Sequence, residues 1–268
     1  MSSGKLAMFL PGRYPPLLLT LNIHNLPPVF DTPYTNHPIP GTFILPLASR
    51  LPKNPSVLFP FLYDYTKTSF MDKLSAYLAK FASMPSFFAR PDFKLNNASV
   101  VLAAKALHRS MSEAFAAGDR DTLRKICADR VSDTLVSSID ARPKGRRYLW
   151  ELVRYNKSWR YPRIVSQKVA KLDRGSDAPM IRQVVVRICS RQRRTEVDEQ
   201  GRVVPESERE VDLVENVCLS SIINPHTWKQ DEWRISGTVK DTDPKAWTEE
   251  KNLLKEIEEV EMSKYKKN

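Results

Sequence analysis

The pattern that decides the fold lies at residues 180–195, which read MIRQVVVRICSRQRRT. Val184, Val186 and Ile188 fall on one face of an extended chain here, and Arg187 falls on the other. Because successive side chains of a β-strand point to opposite faces, this period of two predicts a strand with one apolar and one polar face. Upstream of this stretch, apolar residues recur every three to four positions instead, which predicts helices.

Three further strands are predicted, at about residues 163–172, 211–219 and 233–240. The second forms a hairpin with the 180–195 strand through a turn around Gly201. In the last strand, Ile235 and Gly237 alternate with Arg234 and Ser236, which predicts that the first pair faces inward and the second outward. The sequence therefore predicts an antiparallel sheet of about four strands.

Helices are predicted before and after this sheet, at residues 70–84, 98–117, 119–135, 146–156 and after Pro244. Asp119 is expected to cap the third helix, and Met111 and Phe115 belong to the predicted core. The 146–156 helix would turn its arginines outward and bury Tyr148, Leu149, Leu152 and Val153. The last helix carries an apolar stripe of Leu253, Ile257 and Val260. Helices first and an antiparallel sheet afterwards make an α+β domain.

The N-terminal quarter has a different character, because 12 of the 20 prolines lie in the first 60 residues. Residues 1–65 are predicted to be an extended Pro-rich arm without a helix or central strand. Aromatic residues interleave with the prolines, so the arm is expected to lie on a surface, either of a partner or of its own domain. The predicted domains are this arm, an α+β domain at 66–242 and a charged C-terminal helix at 243–268.

Positive charge is concentrated in one part of the chain. The whole sequence has a formal net charge of +11, whereas residues 142–194 contain 16 Lys or Arg and three acids, a balance of +13. Within this stretch, residues 142–163 interleave cations with Trp and Tyr, a combination that suits RNA phosphates and unstacked bases. The alternative is that Trp150 and Trp159 are core residues beside a solvated face. The predicted phosphate contacts are Arg142, Lys144, Arg146, Arg147, Arg154, Arg160 and Arg163.

The second cationic cluster favours a structural interpretation. If the hairpin turns around Gly201, Arg191 lies opposite Glu210 and Arg193 opposite Glu208. Such cross-strand pairs form an ion-pair ladder, so these arginines are expected to be engaged inside the protein.

A stripe of apolar residues in the first predicted helix has two interpretations. It is flanked by lysines at positions 67, 73 and 80, which suits a helix that lies on a membrane surface. Packing on the domain is the alternative. The candidate membrane-facing residues are Phe70, Leu74, Tyr77 and Phe81.

Other functional classes find little support in the sequence. There is no apolar run of about 20 residues that would predict a spanning helix. The three cysteines and four histidines show no metal-ligand spacing, and neither a nucleophile elbow nor a phosphate-binding loop occurs. No enzyme activity, metal or cofactor is expected.

Two stretches carry a family resemblance, namely AFAAGDRDTLRKIC at 114–127 and WRISG at 233–237. With the basic segment and strands between them, they resemble the Tim-forty-four-like domain over about residues 70–240. The resemblance implies a cone-shaped fold like that of nuclear transport factor two. That family includes an inner-membrane translocase subunit, the mitochondrial large-subunit ribosomal protein of the L-forty-five type and the fungal inner-membrane mitoribosome receptor. The Pro-rich arm makes this chain more similar to the ribosome receptor branch.

The resemblance implies a peripheral protein on the matrix side of the mitochondrial inner membrane. It would dock the large ribosomal subunit near the tunnel exit, through rRNA and proteins, and help deliver membrane proteins to an Oxa-type insertase. No small-molecule substrate is expected. The alternative is a subunit or anchor of the inner-membrane import and assembly machinery that binds proteins only. Whether the protein is a permanent ribosomal subunit or an exchangeable receptor stays open.

Overall fold

A computed structural model describes residues 38–86, 89–143, 145, 147–156, 161–172 and 178–265. The helices are α1 (Pro55–Ala82), α2 (Asn97–Ala117), α3 (Arg120–Ile126), α4 (Asp129–Asp140) and α5 (Pro244–Tyr265). The strands are β1 (Arg147–Tyr155), β2 (Arg163–Lys171), β3 (Met180–Val197), β4 (Arg209–Ile223) and β5 (Arg234–Val239). The predicted α+β class is confirmed.

All five of these strands form one antiparallel sheet around β3. The 18-residue β3 is long enough to pair with two successive strands along one edge, β2 at residues 180–187 and β1 at residues 190–197. On its other edge β3 pairs with β4, and β4 pairs with β5. The prediction of about four strands missed β1.

The short helix predicted at 146–156 is wrong, because this segment is strand β1. Its pattern fits both periods, but its Tyr, Trp and Val side chains favour strands, and the end of β3 offers an unpaired edge. Tyr148 is buried, whereas Leu149 is 56% exposed and Val153 is 38% exposed. The change from helix to strand therefore moves Leu149 and Val153 from the predicted core to the surface.

Helices α2, α3 and α4 cover one face of the sheet and enclose the largest apolar core. Met111 and Phe115 are buried in it, as predicted. The helix expected at 119–135 divides instead into α3 and α4, because Ala128 N donates to Ile235 O of β5 at 2.8 Å. Asp119 caps α3 as predicted, with its carboxylate accepting from Thr122 N at 3.1 Å.

The N-terminal described segment, α1 and α5 lie against the other face of the sheet or along its β2 edge. Phe43 and Ile44 are buried, so this part of the chain packs on its own domain. The prediction that residues 1–65 contain no helix is wrong, since α1 begins at Pro55. Asn54 caps that helix, and proline is favourable at the first helical position because its missing N–H has no partner to lose. Residues 1–37 of the predicted arm lie outside the described residues.

Two predicted faces near the C-terminus need correction. Ser236 was expected to face outward but is 1% exposed, because the β4–β5 register shifts between Cys218 and Leu219. In α5, Leu253 was expected on a packed stripe but is exposed. Trp247 packs inward instead and contacts the Phe43 ring, with centroids 4.7 Å apart. The side chain of Val260 lies outside the described residues.

Candidate nucleic-acid interface

Three of the predicted phosphate-binding residues are exposed along one edge of the sheet. Arg147 and Arg154 lie on β1, and Arg163 begins β2. Their opposite residues on β3 are Val197, Arg191 and Arg187, all at odd positions, so the three arginines follow the same face of that strand. The outermost of these partners, Arg187 and Val197, are ten residues apart on β3, or about 33 Å. We call Arg147, Arg154 and Arg163 the basic edge.

The acids beside the basic edge are already paired. Glu151 lies between Arg147 and Arg154 in sequence and accepts from Arg193 at 3.3 Å. Asp212, near Arg154, receives two hydrogen bonds from Arg191, at 2.9 and 2.6 Å. Arg147 has no ion-pair partner among the residues that the structure describes. The basic edge can therefore present its charge to an external anion.

Arg142 is placed differently, because it closes the C-terminal end of α2. Its guanidinium donates to Ala116 O at 3.1 Å and to Phe115 O, and it stacks over the rings of Phe115 and Tyr148. Burial lowers the pKa of Arg142 from its ordinary value. Arg142 thus stabilises a helix end and does not extend the basic edge.

The remaining predicted phosphate contacts, Lys144, Arg146 and Arg160, lie outside the described residues, as does Trp159. Trp150 is half-buried and donates from Nε1 to Gln192 Oε1 at 2.8 Å. The structural interpretation of Trp150 is therefore the better one. Leu149 and Val153 supply the exposed apolar surface between the arginines.

The ion-pair ladder on β3 and β4 is confirmed, with its register shifted by two residues. Arg191 lies opposite Asp212, and Arg193 lies opposite Glu210. The predicted turn is present, because Asp198 N donates to Arg202 O at 3.0 Å and Val197 bridges to Val203. The register shifts after it, where a second turn, in which Ser207 N donates to Val204 O at 3.2 Å, precedes β4. Both arginines also reach the predicted partners, Glu210 at 3.6 Å and Glu208 at 3.3 Å, respectively.

Arg187 lies in the most enclosed part of the basic stretch. It is 1% exposed and donates to Asn216 Oδ1 at 2.7 Å, Leu45 O at 2.8 Å and Asp241 Oδ1 at 2.6 Å. These bonds tie the N-terminal segment and the connection between β5 and α5 to the centre of the sheet. Burial lowers the pKa of Arg187, although Asp241 opposes that effect.

Lys168 and Arg182 are also buried. Lys168 Nζ lies 3.4 Å from Asp72 Oδ1 of α1, and burial lowers the pKa of Lys168 and raises that of Asp72. Arg182 lies against the rings of Phe93 and Trp233, and burial lowers its pKa to about 10. Much of the +13 stretch therefore stabilises the protein itself.

A buried polar network between α2 and the sheet was missed in the sequence. His108 contacts Glu215 through Nε2 at 3.0 Å and Tyr155 through Nδ1 at 3.3 Å, and Gln192 donates to Glu215 at 3.0 Å. Burial raises the pKa of Tyr155 to about 12. Its members come from α2, β1, β3 and β4, so no local motif could reveal them. Over the described ranges, no group of three His, Cys, Asp or Glu side chains could hold a metal ion.

Helix α1 exposes an aromatic stripe on the side that points away from the sheet. Among the predicted membrane-facing residues, Phe70, Tyr77 and Phe81 are exposed, and Leu74 is half-buried. The stripe continues to Phe59 and Tyr63, two residues that the sequence interpretation placed in the Pro-rich arm. None of the described helices has the length and apolar content needed to cross a bilayer.

Comparison with known proteins places the chain in a family. No curated protein matches it. The model of one family, described as MBA1-like protein, matches residues 70–268. The match includes every described strand and the C-terminal part of α1, residues 70–82. The Tim-forty-four-like domain and its cone-shaped fold stay predictions. The chain therefore belongs to the MBA1-like protein family, a mitochondrial family associated with the ribosome and with the membrane.

Proposed function

We propose that this protein docks the large mitochondrial ribosomal subunit at the matrix side of the inner membrane, near the tunnel exit. There it would help deliver newly made membrane proteins to an Oxa-type insertase. Family membership supports the association with the ribosome and the membrane. The observation that carries the docking surface is the exposed basic edge of Arg147, Arg154 and Arg163. The proposed role involves no catalysis and no cofactor.

Ribosomal RNA is the component that this edge suits. A guanidinium binds phosphate oxygens through paired N–H donors, and three of them along about 33 Å can follow a run of phosphates. Lys144, Arg146 and Arg160 lie close to the ends of β1 in sequence, so we include them among the proposed contacts. Such contacts release counterions, and binding should therefore weaken steeply as salt rises.

The test is co-sedimentation of the full chain with mitochondrial large ribosomal subunits across a salt series. Charge reversal of Arg147 and Arg154 should weaken binding, and the matching alanine pair should reduce the slope of log K against log salt by about two. Reversal of Arg124 and Lys125, exposed cations on α3, changes the total charge equally and should leave the slope almost unchanged. A folded Arg147→Glu/Arg154→Glu variant with wild-type binding and slope would overturn the proposed docking surface.

A protein-only role in the import or assembly machinery is the second candidate. It is favoured by Leu149 and Val153, which leave apolar surface exposed between the arginines. Nuclease treatment separates the two candidates. Binding to ribosomal RNA predicts loss of the association when RNA is digested, whereas a protein-only role predicts that Leu149→Ser disrupts the complex and nuclease does not.

A further inference from the structure

Helix α1 is attached to the domain by only one of its sides. Ser75 Oγ accepts from Val169 N of β2 at 3.1 Å, and Asp72 contacts Ser166 and Lys168 of the same strand. Ala76, on this side of the helix, is 1% exposed. The docked side therefore covers the outer edge of β2 and fixes the orientation of the helix.

The opposite side carries five exposed aromatic residues in one line. Their sequence spacings of 4, 7, 7 and 4 place them within about 40° around an α-helix, over about 33 Å. Each is between 52% and 69% exposed. An apolar surface of this extent on a folded domain indicates a contact with another phase or molecule. We call the set the aromatic face of α1: Phe59, Tyr63, Phe70, Tyr77 and Phe81.

The charges of α1 are divided between its two sides. Its two acids both point toward the domain: Asp64 accepts from Lys251 Nζ at 2.9 Å, and Asp72 accepts from Ser166 Oγ at 2.9 Å. The helix also carries Lys67 and Lys73, which are exposed, and Lys80, which is half-buried. The solvent side of α1 is therefore aromatic and cationic, with no exposed acid on the helix.

From this division we propose that α1 lies in the plane of an anionic phospholipid bilayer with its aromatic face in the headgroup region. The inference rests on the proposed function for the membrane association itself, and it adds the contacting surface and the charge of the lipid. Aromatic rings favour the interface between headgroups and acyl chains, and flanking lysines attract anionic headgroups. The lysines at positions 67, 73 and 80, with no exposed acid on the helix, complement an anionic surface.

The placement of α1 also orients the ribosome-binding surface. The helix docks on β2, whose Gln167 lies opposite Val184, whereas Glu151 in the middle of β1 lies opposite Arg193. These two points are nine residues apart on β3, or about 30 Å. A bilayer at α1 thus leaves Arg147 and Arg154 at the far end of β3, where a ribosome can contact them.

Vesicle flotation of the full chain tests the inference, with phosphatidylcholine vesicles that contain or lack phosphatidylglycerol. The wild-type chain should float with the anionic vesicles and only weakly with the neutral ones. Phe70→Ala/Phe81→Ala should reduce binding to anionic vesicles by about tenfold or more. Leu102→Ala/Leu253→Ala removes comparable exposed apolar residues from α2 and α5 and should bind as wild type. Equal flotation of the two variants would overturn the inference.

A second measurement places the face in the bilayer directly. With Tyr77→Trp, brominated lipids in anionic vesicles should quench more fluorescence than they quench in the wild-type chain, which has five tryptophans. Leu102→Trp should add emission without added quenching. Quenching of Leu102→Trp equal to that of Tyr77→Trp would show another orientation and overturn the proposal.

Ribosome co-sedimentation distinguishes failure of this inference from failure of the proposed function. Phe70→Ala/Phe81→Ala should bind large subunits with the wild-type salt slope, and Arg147→Ala/Arg154→Ala should float as wild type. Loss of ribosome binding in the aromatic variant with unchanged flotation would assign α1 to a protein or RNA partner. If only the arginine variant loses ribosome binding and the aromatic variant floats as wild type, the proposed function stands. The inference that α1 contacts the membrane would then be wrong.

Discussion

The two ends of the basic stretch have similar composition and different surroundings. Arg147 and Arg154 lie on β1, whose outer face is uncovered, and both are exposed. Arg187, in contrast, lies in the part of β3 that is covered on both faces, and it is 1% exposed. The difference shows that the local position in the sheet, and not the density of positive charge in the sequence, decides which cations can contact a partner.

Burial also changes how much a cationic side chain contributes to the stability of the fold. A buried arginine is desolvated, so its loss leaves acceptors unpaired in a medium where water cannot replace it. An exposed arginine keeps its hydration, and its removal changes stability little. Substitutions along the stretch should therefore separate into those that alter folding and those that alter binding.

The largest effect is expected at Arg187. Arg187→Ala removes the donor shared by Asn216, Leu45 and Asp241, and we expect the free energy of unfolding to fall by about 4 kcal/mol. Urea denaturation measures this change, with Arg147→Ala as the exposed control, for which the free energy should remain nearly unchanged. A loss at Arg187 no larger than that at Arg147 would contradict the distinction between the two ends.

The next effect is expected at Lys168 and should depend on pH. Lys168→Met leaves Asp72 buried without its cation, and we expect a loss of about 3 kcal/mol at pH 7. Burial already raises the pKa of Asp72, and Lys168 opposes that rise. In the variant, the pKa of Asp72 in the folded state should rise further above its value in the unfolded state. The stability of the variant is therefore retained below about pH 4, where Asp72 is protonated in both states, and it is lost as pH increases through the folded pKa.

Urea denaturation of wild type and Lys168→Met at several pH values between about 4 and 7 checks this sign. The double variant Lys168→Met/Asp72→Leu removes both charges and provides the control. It also removes the acceptor of the Ser166 hydrogen bond. It should recover stability and lose the added pH dependence. A loss in the single variant that is the same at every pH would show that packing, and not the unpaired carboxylate, is its cause.

Arg142 should give an intermediate effect on stability and none on ribosome binding. Arg142→Ala removes charged hydrogen bonds to Phe115 O and Ala116 O at the end of α2, worth about 2 kcal/mol. Urea denaturation and the salt slope of co-sedimentation are measured on the same sample. A reduced salt slope of ribosome binding with unchanged stability would show that Arg142 contacts the ribosome together with the basic edge.

The sequence predicted the elements whose apolar period is unambiguous. Strand β3 has a clear alternation, and α2 has Leu107, Met111 and Phe115 at helical spacing, so both were predicted close to their observed bounds. Strand β1 could not be distinguished from a helix, because its apolar residues fit both periods over nine positions. What decided its structure was a tertiary feature, the unpaired edge of β3.

The candidate surface was predicted less completely than the fold. Arg147, Arg154 and Arg163 were selected from the sequence by their charge and their aromatic neighbours, whereas their alignment along one edge depends on the strand pairing of β1 and β2 with β3. Arg142 could not be distinguished from them, since its acceptors belong to α2, more than 25 residues earlier in the chain. Phe59 and Tyr63 were missed because Pro55 and Pro60 suggested an extended arm, although proline at the first helical position is favourable.

Only a small effect on stability is expected at Arg193, although it contacts three carboxylates. Glu151, Glu208 and Glu210 all lie within 3.3 Å of its guanidinium nitrogens, but the ladder is exposed and screened by water and salt. Arg193→Ala should shift the melting temperature slightly at low salt and not at high salt.

The same substitution should also weaken ribosome binding. Without Arg193, the unpaired Glu151 repels phosphate beside Arg147 and Arg154. We expect affinity to fall by up to about threefold at low salt. Glu151→Gln in the Arg193→Ala chain should restore it, and unrestored binding would mean that Arg193 itself contacts the ribosome.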